Sequence, residues 1–132
     1  MSIELDATTY VHAKPATAHS YILPAVVDVL ENSFQEANET AVFDLGCGTG
    51  AVTALLHARW PAAHITGVDN SSAMLERARA TLPTVEWVAA DLAQWVPREP
   101  VDLVVSNAAL HWLDHHTSLF PRLMAQLAPN GV

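Results

Sequence analysis

The 132-residue chain has the length of a single domain, because soluble domains usually span about 100–200 residues. Hydrophobic residues make up 51% and charged residues 15% of the chain, which indicates a globular protein and excludes a disordered or coiled-coil one. Six Lys and Arg against fourteen Asp and Glu give a formal charge of −8. This charge argues against partners that are bound through their phosphates, namely nucleic acid and an anionic membrane surface.

Targeting signals and metal-ligand patterns are missing from the sequence. No apolar run reaches the roughly 18 residues of a transmembrane helix, and the acidic start lacks the basic residues of a signal peptide. We therefore expect a cytoplasmic protein. The single cysteine, Cys47, excludes an intrachain disulfide and a cysteine-based zinc site. His115 and His116 have no third partner at metal-ligand spacing, so we expect no metal site.

The first forty residues form one predicted segment. Residues 1–15 are irregular and polar, whereas residues 16–34 carry an apolar stripe at helical spacing. We predict that residues 1–40 are a lid or cap and that residues 41–132 form the main domain.

From residue 41 onward, short apolar runs alternate with segments of helical length. The pattern predicts strands at 41–45, 64–68, 85–89 and 101–106, helices at 51–59, 71–82 and 117–127, and a short turn or helix at 92–95. Three of the strands have nearly continuous apolar centres, which is typical of strands covered on both faces. The chain is therefore predicted to be an α/β protein with a doubly wound parallel sheet. Pro121 is compatible with the last helix only in its first turn.

A glycine-rich loop separates the first strand from its helix. In the run Asp44-Leu45-Gly46-Cys47-Gly48-Thr49-Gly50, glycine allows a sharp turn and the close approach of a ligand. The following helix presents unpaired N–H groups. Gly46, Gly48 and Ala51 also fit a dinucleotide fingerprint, so an NAD-dependent oxidoreductase domain is one alternative.

Three carboxylates follow three consecutive strands. Asp44 would repel a pyrophosphate but suits a cation or an ammonium group. Asp69, about 20 residues past the glycine loop, suits the two hydroxyls of a ribose, with a helix cap as the alternative. Asp91 is either a third ligand or a turn acid. This set suits S-adenosylmethionine, which carries an ammonium, a ribose and an adenine amine, better than a dinucleotide.

These motifs resemble those of the class I S-adenosylmethionine-dependent methyltransferases. The resemblance rests on residues 42–50, 67–69 and 90–91, and residues 54–63, 72–75 and 107–113 resemble the trans-aconitate methyltransferases in particular. It implies a Rossmann-like, seven-stranded sheet ordered 3-2-1-4-5-7-6, of which this chain supplies strands 1 to 4. We therefore expect a domain that is truncated at its C-terminus. Strand 4 would then be an apolar edge, which a homodimer would cover.

The resemblance also implies which residues hold the cofactor. They lie at the strand ends and in the loops that follow: Asp44, Gly46, Cys47, Gly48, Asp69, Asn70, Met74, Asp91, Leu92 and Asn107. The glycine loop would frame the methionine part, with Asp44 near its ammonium through the loop or a water. Asp69 would bind the ribose diol and Asp91 the adenine amine, and Asn70 and Met74 would pack on the adenine.

Several of these positions have a plainer structural interpretation. One of Met74 and Leu75 belongs to the buried face of its helix, and we assign Met74 to the ligand. Cys47, at a helix N-terminus, invites a nucleophile interpretation, but it has no identifiable base and is expected to be a small residue that fits the loop. Asn107 would contact the methionine end through its backbone.

The substrate side is less well defined by the sequence. Tyr10, His111 and Trp112 are candidates, with His111 as a base, a hydrogen-bond donor or an ordinary surface histidine. The resemblance implies O-methylation of a small carboxylate such as trans-aconitate, which is compatible with the lack of an evident acid–base pair because an ionised carboxylate needs no general base. No cationic clamp for such a substrate is visible among Lys14, Arg59, Arg77, Arg79 and Arg98. A cofactor-binding fragment without catalysis is therefore a further alternative.

Overall fold

The structure is a computed structural model that describes residues 24, 25, 28 and 40–132. The chain divides into two compact units, residues 1–35 and 36–132, and every element described below belongs to the second unit. The predicted lid or cap at 1–40, with Tyr10 and Lys14, lies outside the described residues apart from positions 24, 25, 28 and 40. None of the described helices is long and apolar enough to cross a membrane.

Strands and helices alternate through the described part of the second unit, as predicted. The elements are β1 (Ala41–Leu45), α1 (Ala51–Arg59), β2 (His64–Asp69), α2 (Ser72–Thr81), β3 (Glu86–Ala89), β4 (Leu103–Ser106), a 3-10 helix (Leu110–Trp112) and α3 (His116–Met124). All three strand pairings are parallel, and the four strands are ordered β3-β2-β1-β4. The predicted α/β fold with a doubly wound parallel sheet is therefore confirmed.

The core lies between the central strands and the two helices that follow them. Val68 of β2, Leu56 of α1 and Leu75 of α2 are almost completely buried. Each such side chain contributes roughly 1.5–3 kcal/mol through the apolar surface it removes from water. Trp87 of β3 closes the core below the glycine loop, and its indole N–H donates a 3.0 Å hydrogen bond to the Leu82 carbonyl. The apolar strand centres thus support a loop that is itself polar.

The last helix differs from its prediction. It runs over His116–Met124 instead of 117–127, and Pro121 lies in its second turn, where the sequence analysis had allowed proline only in the first. Proline has no N–H to donate to the carbonyl of Thr117, four residues earlier. Because Thr117 is exposed, water can satisfy that carbonyl, and the helix tolerates the proline.

The outer edge of β4 is not bare, contrary to our expectation. Val101 pairs with Leu127 in an isolated parallel bridge. Farther along, the Val104 N–H donates to the Val132 carbonyl at 2.9 Å, and the Val132 N–H donates to the Asp102 carbonyl at 2.9 Å. The segment after α3 therefore returns to satisfy this edge, and a homodimer over a bare edge has no physical basis along residues 101–104.

Candidate cofactor site

The glycine loop folds across the carboxyl ends of β1 and β2. Gly46, Gly48 and Gly50 have φ angles of +73°, +56° and +80°, in the left-handed region that residues with a Cβ rarely adopt. The N–H groups of Gly46 and Cys47 both donate to the Val68 carbonyl, at 2.7 and 3.2 Å. These bonds hold the loop at the end of the sheet, where ligands of open α/β folds bind.

Asp69 joins the glycine loop to the start of α2. One of its carboxylate oxygens accepts a 2.9 Å hydrogen bond from the Gly48 N–H, and the other accepts a 2.8 Å bond from the Ser71 N–H. The N-cap of α2 is Ser71, whose hydroxyl accepts from the Met74 N–H at 3.4 Å. Asp69 is therefore not the cap itself. Because each carboxylate oxygen has a second lone pair, both can still accept a hydroxyl from a ligand.

Asp44 lies below the glycine loop and is buried, with 1% of its surface exposed. Its Oδ2 accepts a 2.6 Å hydrogen bond from the Thr53 hydroxyl of α1. Burial raises the pKa of Asp44 to about 6, the Thr53 bond opposes the rise, and the charge of Asp69 adds to it. Asp44 is thus mostly ionised at pH 7, and in this structure its charge acts on the site from beneath the loop.

The raised pKa of Asp44 predicts a pH-dependent stability. The folded protein holds this proton up to a pH near 6, whereas the unfolded chain releases it near 3.8. The resulting stabilisation, roughly 2–3 kcal/mol, is complete below pH 3.8 and is lost as the pH rises through 6. Urea unfolding between pH 4 and 7 should show this loss in the wild type relative to Asp44→Asn, which has no carboxyl to titrate at this position. If stability changed with pH in the same way in both proteins, the prediction would be contradicted. As a control, Glu76→Gln on the exposed side of α2 should leave the pH dependence of stability as in the wild type.

Cys47 is a structural residue of the loop. Burial, followed by the negative charges of Asp44 and Asp69, raises the pKa of its thiol to about 12. The thiol is therefore neutral at pH 7, which excludes the nucleophile interpretation. Its Sγ lies 3.1 Å from the position that a Cβ would take on Gly67. The space between residues 47 and 67 therefore suits a small side chain at 47 and a glycine at 67.

The first turn of α2 separates a core residue from an exposed one. Leu75 is completely buried, whereas Met74 is 45% exposed. The Met74 sulfur lies 3.6 Å from the position that a Cβ would take on Gly48, so Met74 lies beside the loop. Asn70, one residue past β2, is exposed. Leu75 is thus the core member of the pair, and the contact of Met74 and Asn70 with an adenine stays a prediction.

A short turn after β3 presents Asp91 and Leu92. One Asp91 carboxylate oxygen accepts a 2.9 Å bond from the Ala93 N–H, so the turn-acid role is present and uses one of its two oxygens. The exposed Asp91 side chain keeps a second oxygen for a ligand. A Leu92 methyl carbon lies 3.6 Å from the Cβ position of Gly46, which places this turn against the glycine loop.

The segment after β4 closes over the first glycine. A Cβ on Gly46 would overlap the Cβ of Ala109, and Ala108 adopts a φ of +56° to bring the chain there. Asn107 begins this segment and is half-buried. The segment thus reaches the methionine side of the predicted site.

His111 and Trp112 lie farther out than the cofactor residues. Both are exposed on the 3-10 helix, where their rings stack on each other with centroids 4.8 Å apart. The structure therefore brings Gly46, Gly48 and Asp69 together with Met74, Leu92 and Ala109. Trp112 is joined to this group through its backbone N–H, which donates to the Ala109 carbonyl at 3.1 Å, while its side chain points into solvent and is 79% exposed. Within the described residues, no group of three or more His, Cys, Asp or Glu could hold a metal ion.

The contacts of three residues were missed by the sequence analysis, which had considered His116 only as a metal ligand. Thr53 binds Asp44, the His116 ring lies 2.9 Å from the Leu110 carbonyl, and Arg122 donates to backbone carbonyls of the turn after β3. A basic residue in the last turn of a helix predicts an interaction with the helix dipole. No local pattern indicates that Arg122 reaches a turn 30 residues earlier.

Comparison with known proteins agrees with the geometry. The family described as "Methyltransferase domain" matches residues 42–131. The trans-aconitate 2-methyltransferase of Escherichia fergusonii is 54% identical over 91 residues, which are 69% of this chain and 36% of that protein. The chain spans 36–38% of the length of the first curated relatives that it matches.

Two solved structures extend the comparison to the fold. The S-adenosylmethionine-dependent methyltransferase from Mesorhizobium loti is 32% identical, with a TM-score of 0.65 over 77% of this chain and 48% of that one. CalS10, an amino pentose methyltransferase from Micromonospora echinaspora solved with bound S-adenosylmethionine, is 25% identical. Its TM-score is 0.73 over 98% of this chain and 55% of that one.

Proposed function

The chain belongs to the methyltransferase domain family, and from this premise we propose that it binds S-adenosylmethionine and serves the transfer of its sulfonium methyl group to a small carboxylate, with S-adenosylhomocysteine as the other product. The observation that carries the proposal is the arrangement of Asp44 and Asp69 around the glycine loop. Asp69 holds the loop through the Gly48 N–H and offers both oxygens to a ribose. Asp44 places negative charge beneath the loop, which favours an ammonium group over a pyrophosphate.

In this proposal the chain's own residues bind and orient the cofactor. Asp69 accepts the two ribose hydroxyls, and Asp91 accepts the adenine amine through its free oxygen. Met74 and Asn70 cover the adenine, and the loop of Gly46, Cys47, Gly48 and the segment at Asn107 surround the methionine part. When bound, S-adenosylmethionine supplies a methyl group already activated on its sulfonium, so the protein contributes position and electrostatics.

The proposed acceptor is the carboxylate oxygen of a small acid such as trans-aconitate. Support comes from the Escherichia fergusonii relative, a trans-aconitate 2-methyltransferase with 54% identity over the shared 91 residues. A carboxylate is ionised near pH 7 and can attack the methyl carbon without a general base. Tyr10, His111 and Trp112 remain the candidate substrate residues. Arg122, the basic residue absent from our list of clamps, already binds two backbone carbonyls.

The formal charge of −8 supports a small-molecule partner rather than nucleic acid. A cytoplasmic location belongs to the same proposal. It is tested by fractionation of cells that express the tagged chain, where recovery in the membrane pellet would contradict it.

Calorimetric titration tests the cofactor and separates the alternatives. We expect the chain to bind S-adenosylhomocysteine and not NAD. Binding of NAD alone would favour the oxidoreductase alternative and overturn the proposal. With S-adenosylmethionine and trans-aconitate, formation of a methyl ester supports the full proposal. Intact S-adenosylhomocysteine binding without methyl transfer to a panel of small carboxylates would instead indicate a cofactor-binding module.

A further inference from the structure

Arg122 connects α3 to the turn after β3. Its half-buried guanidinium donates one hydrogen bond to the Leu92 carbonyl at 2.8 Å and another to the Trp95 carbonyl at 3.3 Å. Two carbonyls a few residues apart match the planar fork of an arginine, which lysine does not reproduce. The two bonds also compensate the arginine for the water that it loses on partial burial.

The turn from Asp91 to Trp95 is organised locally by its first residue. The Asp91 carboxylate accepts a hydrogen bond from the Ala93 N–H at 2.9 Å. The backbone carbonyl of Asp91 accepts from the N–H groups of Gln94 and Trp95, at 3.0 and 2.8 Å. These bonds fix the shape of the turn but not its orientation against the sheet, because they all lie within the turn. Asp91, Ala93 and Gln94 are moreover exposed.

The entry to the turn is tied to β2 by the Ala90 N–H, which donates to the Asp69 carbonyl at 3.0 Å, and two further anchors set the orientation of the rest. The Trp95 ring lies edge-on to Phe43 of β1, with centroids 4.8 Å apart at an interplanar angle of 89°. This contact fixes the far end of the turn. The near end carries Leu92, whose side chain lies beside Gly46, and its carbonyl is held by Arg122.

We propose that Arg122 is a positioning residue for adenine recognition, because it holds the Leu92 and Trp95 carbonyls and so aims Asp91 at the exocyclic amine. The inference rests on the proposed binding of S-adenosylmethionine. Arg122 itself does not touch the cofactor. Its loss leaves the shape of the turn intact but frees Asp91 and Leu92 to shift between the Ala90 hydrogen bond and the Trp95 ring contact.

The test compares two ligands that differ only at the adenine amine. The full chain is titrated with S-adenosylhomocysteine and with its 6-deamino (purine) analogue, in which a hydrogen replaces that amine. The wild type should prefer the adenine ligand, because only the amine offers an N–H that a carboxylate oxygen can accept. Arg122→Gln should weaken S-adenosylhomocysteine binding by about tenfold, which corresponds to about 1.4 kcal/mol, and should reduce the preference by at least about threefold.

The controls separate positioning from stability. Arg77→Gln removes the same charge from the exposed side of α2 and should leave both affinities unchanged. Arg122→Lys keeps the charge without the fork and should also lose the preference. A wild-type preference in either Arg122 variant overturns the inference, and so does an equal loss of affinity for both ligands, since general destabilisation does not discriminate between them.

Two further outcomes are decisive. If the wild type binds no S-adenosylhomocysteine, the proposed function fails and the inference with it. If the wild type binds both ligands equally, only the inference is overturned. Should neither Arg122 variant fold, hydrogen exchange of the wild type decides the question. S-adenosylhomocysteine must then slow exchange at Ala93, Gln94 and Trp95, and unchanged rates at these amides overturn the inference.

Discussion

Replacement of Asp69 by alanine is expected to weaken the binding of S-adenosylhomocysteine by about 1–3 kcal/mol, or roughly 5- to 150-fold. The substitution removes the acceptor proposed for the ribose diol. It also frees the N–H groups of Gly48 and Ser71, which both donate to this carboxylate. The glycine loop and the start of α2 then lose the carboxylate that holds them together. Calorimetric titration of wild type and variant measures the change.

A ligand pair isolates the ribose contact from the loss of the anchor. The 2′-deoxy analogue of S-adenosylhomocysteine lacks one of the two hydroxyls. The wild type should discriminate against it, and Asp69→Ala should bind both ligands with nearly equal affinity, as expected when one partner of an interaction is gone. Glu76→Ala removes an exposed carboxylate from α2 and should keep the discrimination. Undiminished discrimination in Asp69→Ala would remove Asp69 from the ribose role.

The second large effect is expected at Gly46. A Cβ at this position would overlap the Cβ of Ala109, and the φ of +73° is itself unfavourable for alanine. We expect Gly46→Ala to lower the free energy of unfolding by about 2–5 kcal/mol, from about 1–2 kcal/mol of left-handed strain and about 1–3 kcal/mol of overpacking. Urea unfolding at pH 7 measures this difference.

Gly48 provides a matched control for that substitution. It has a φ of +56°, but a Cβ there would meet only the Met74 sulfur, at an ordinary distance of 3.6 Å. Gly48→Ala should therefore carry the backbone strain alone, about 1–2 kcal/mol. Equal destabilisation of the two variants would show that the segment after β4 moves away from Gly46 at no cost. The close packing of Ala109 on the loop would then be irrelevant to stability.

The distinction between Met74 and Leu75 shows how far a local pattern reaches. One of the two was expected to face the core, and the resemblance alone assigned Met74 to the ligand and so left Leu75 to the core. The structure confirms this assignment, since Leu75 is completely buried and Met74 is 45% exposed. Helical periodicity can identify the buried face of α2. The position of the Met74 sulfur beside Gly48 depends instead on the glycine loop, which belongs to another βα unit.

The β4 edge and Pro121 show where local patterns mislead. The apolar run from Val101 predicted a strand over 101–106, longer than the observed one, and the resemblance to a seven-stranded sheet implied that its edge is free. The structure instead hydrogen-bonds residues 101–104 to the segment after α3, and that return depends on where α3 ends. The rule for Pro121 assumed that every helical carbonyl needs an intrahelical donor, which does not hold where Thr117 faces water.

By itself, the sequence determined the parallel α/β sheet and the glycine loop at its carboxyl end. Both follow from short-range chemistry, because apolar runs select buried strands and a left-handed turn selects glycine. Only the tertiary structure decided that Asp44 is buried against Thr53 and that Arg122 holds the turn of Leu92. These outcomes depend on residues that meet across different elements, so the burial and hydrogen bonding of each group are set by neighbours that no local pattern specifies.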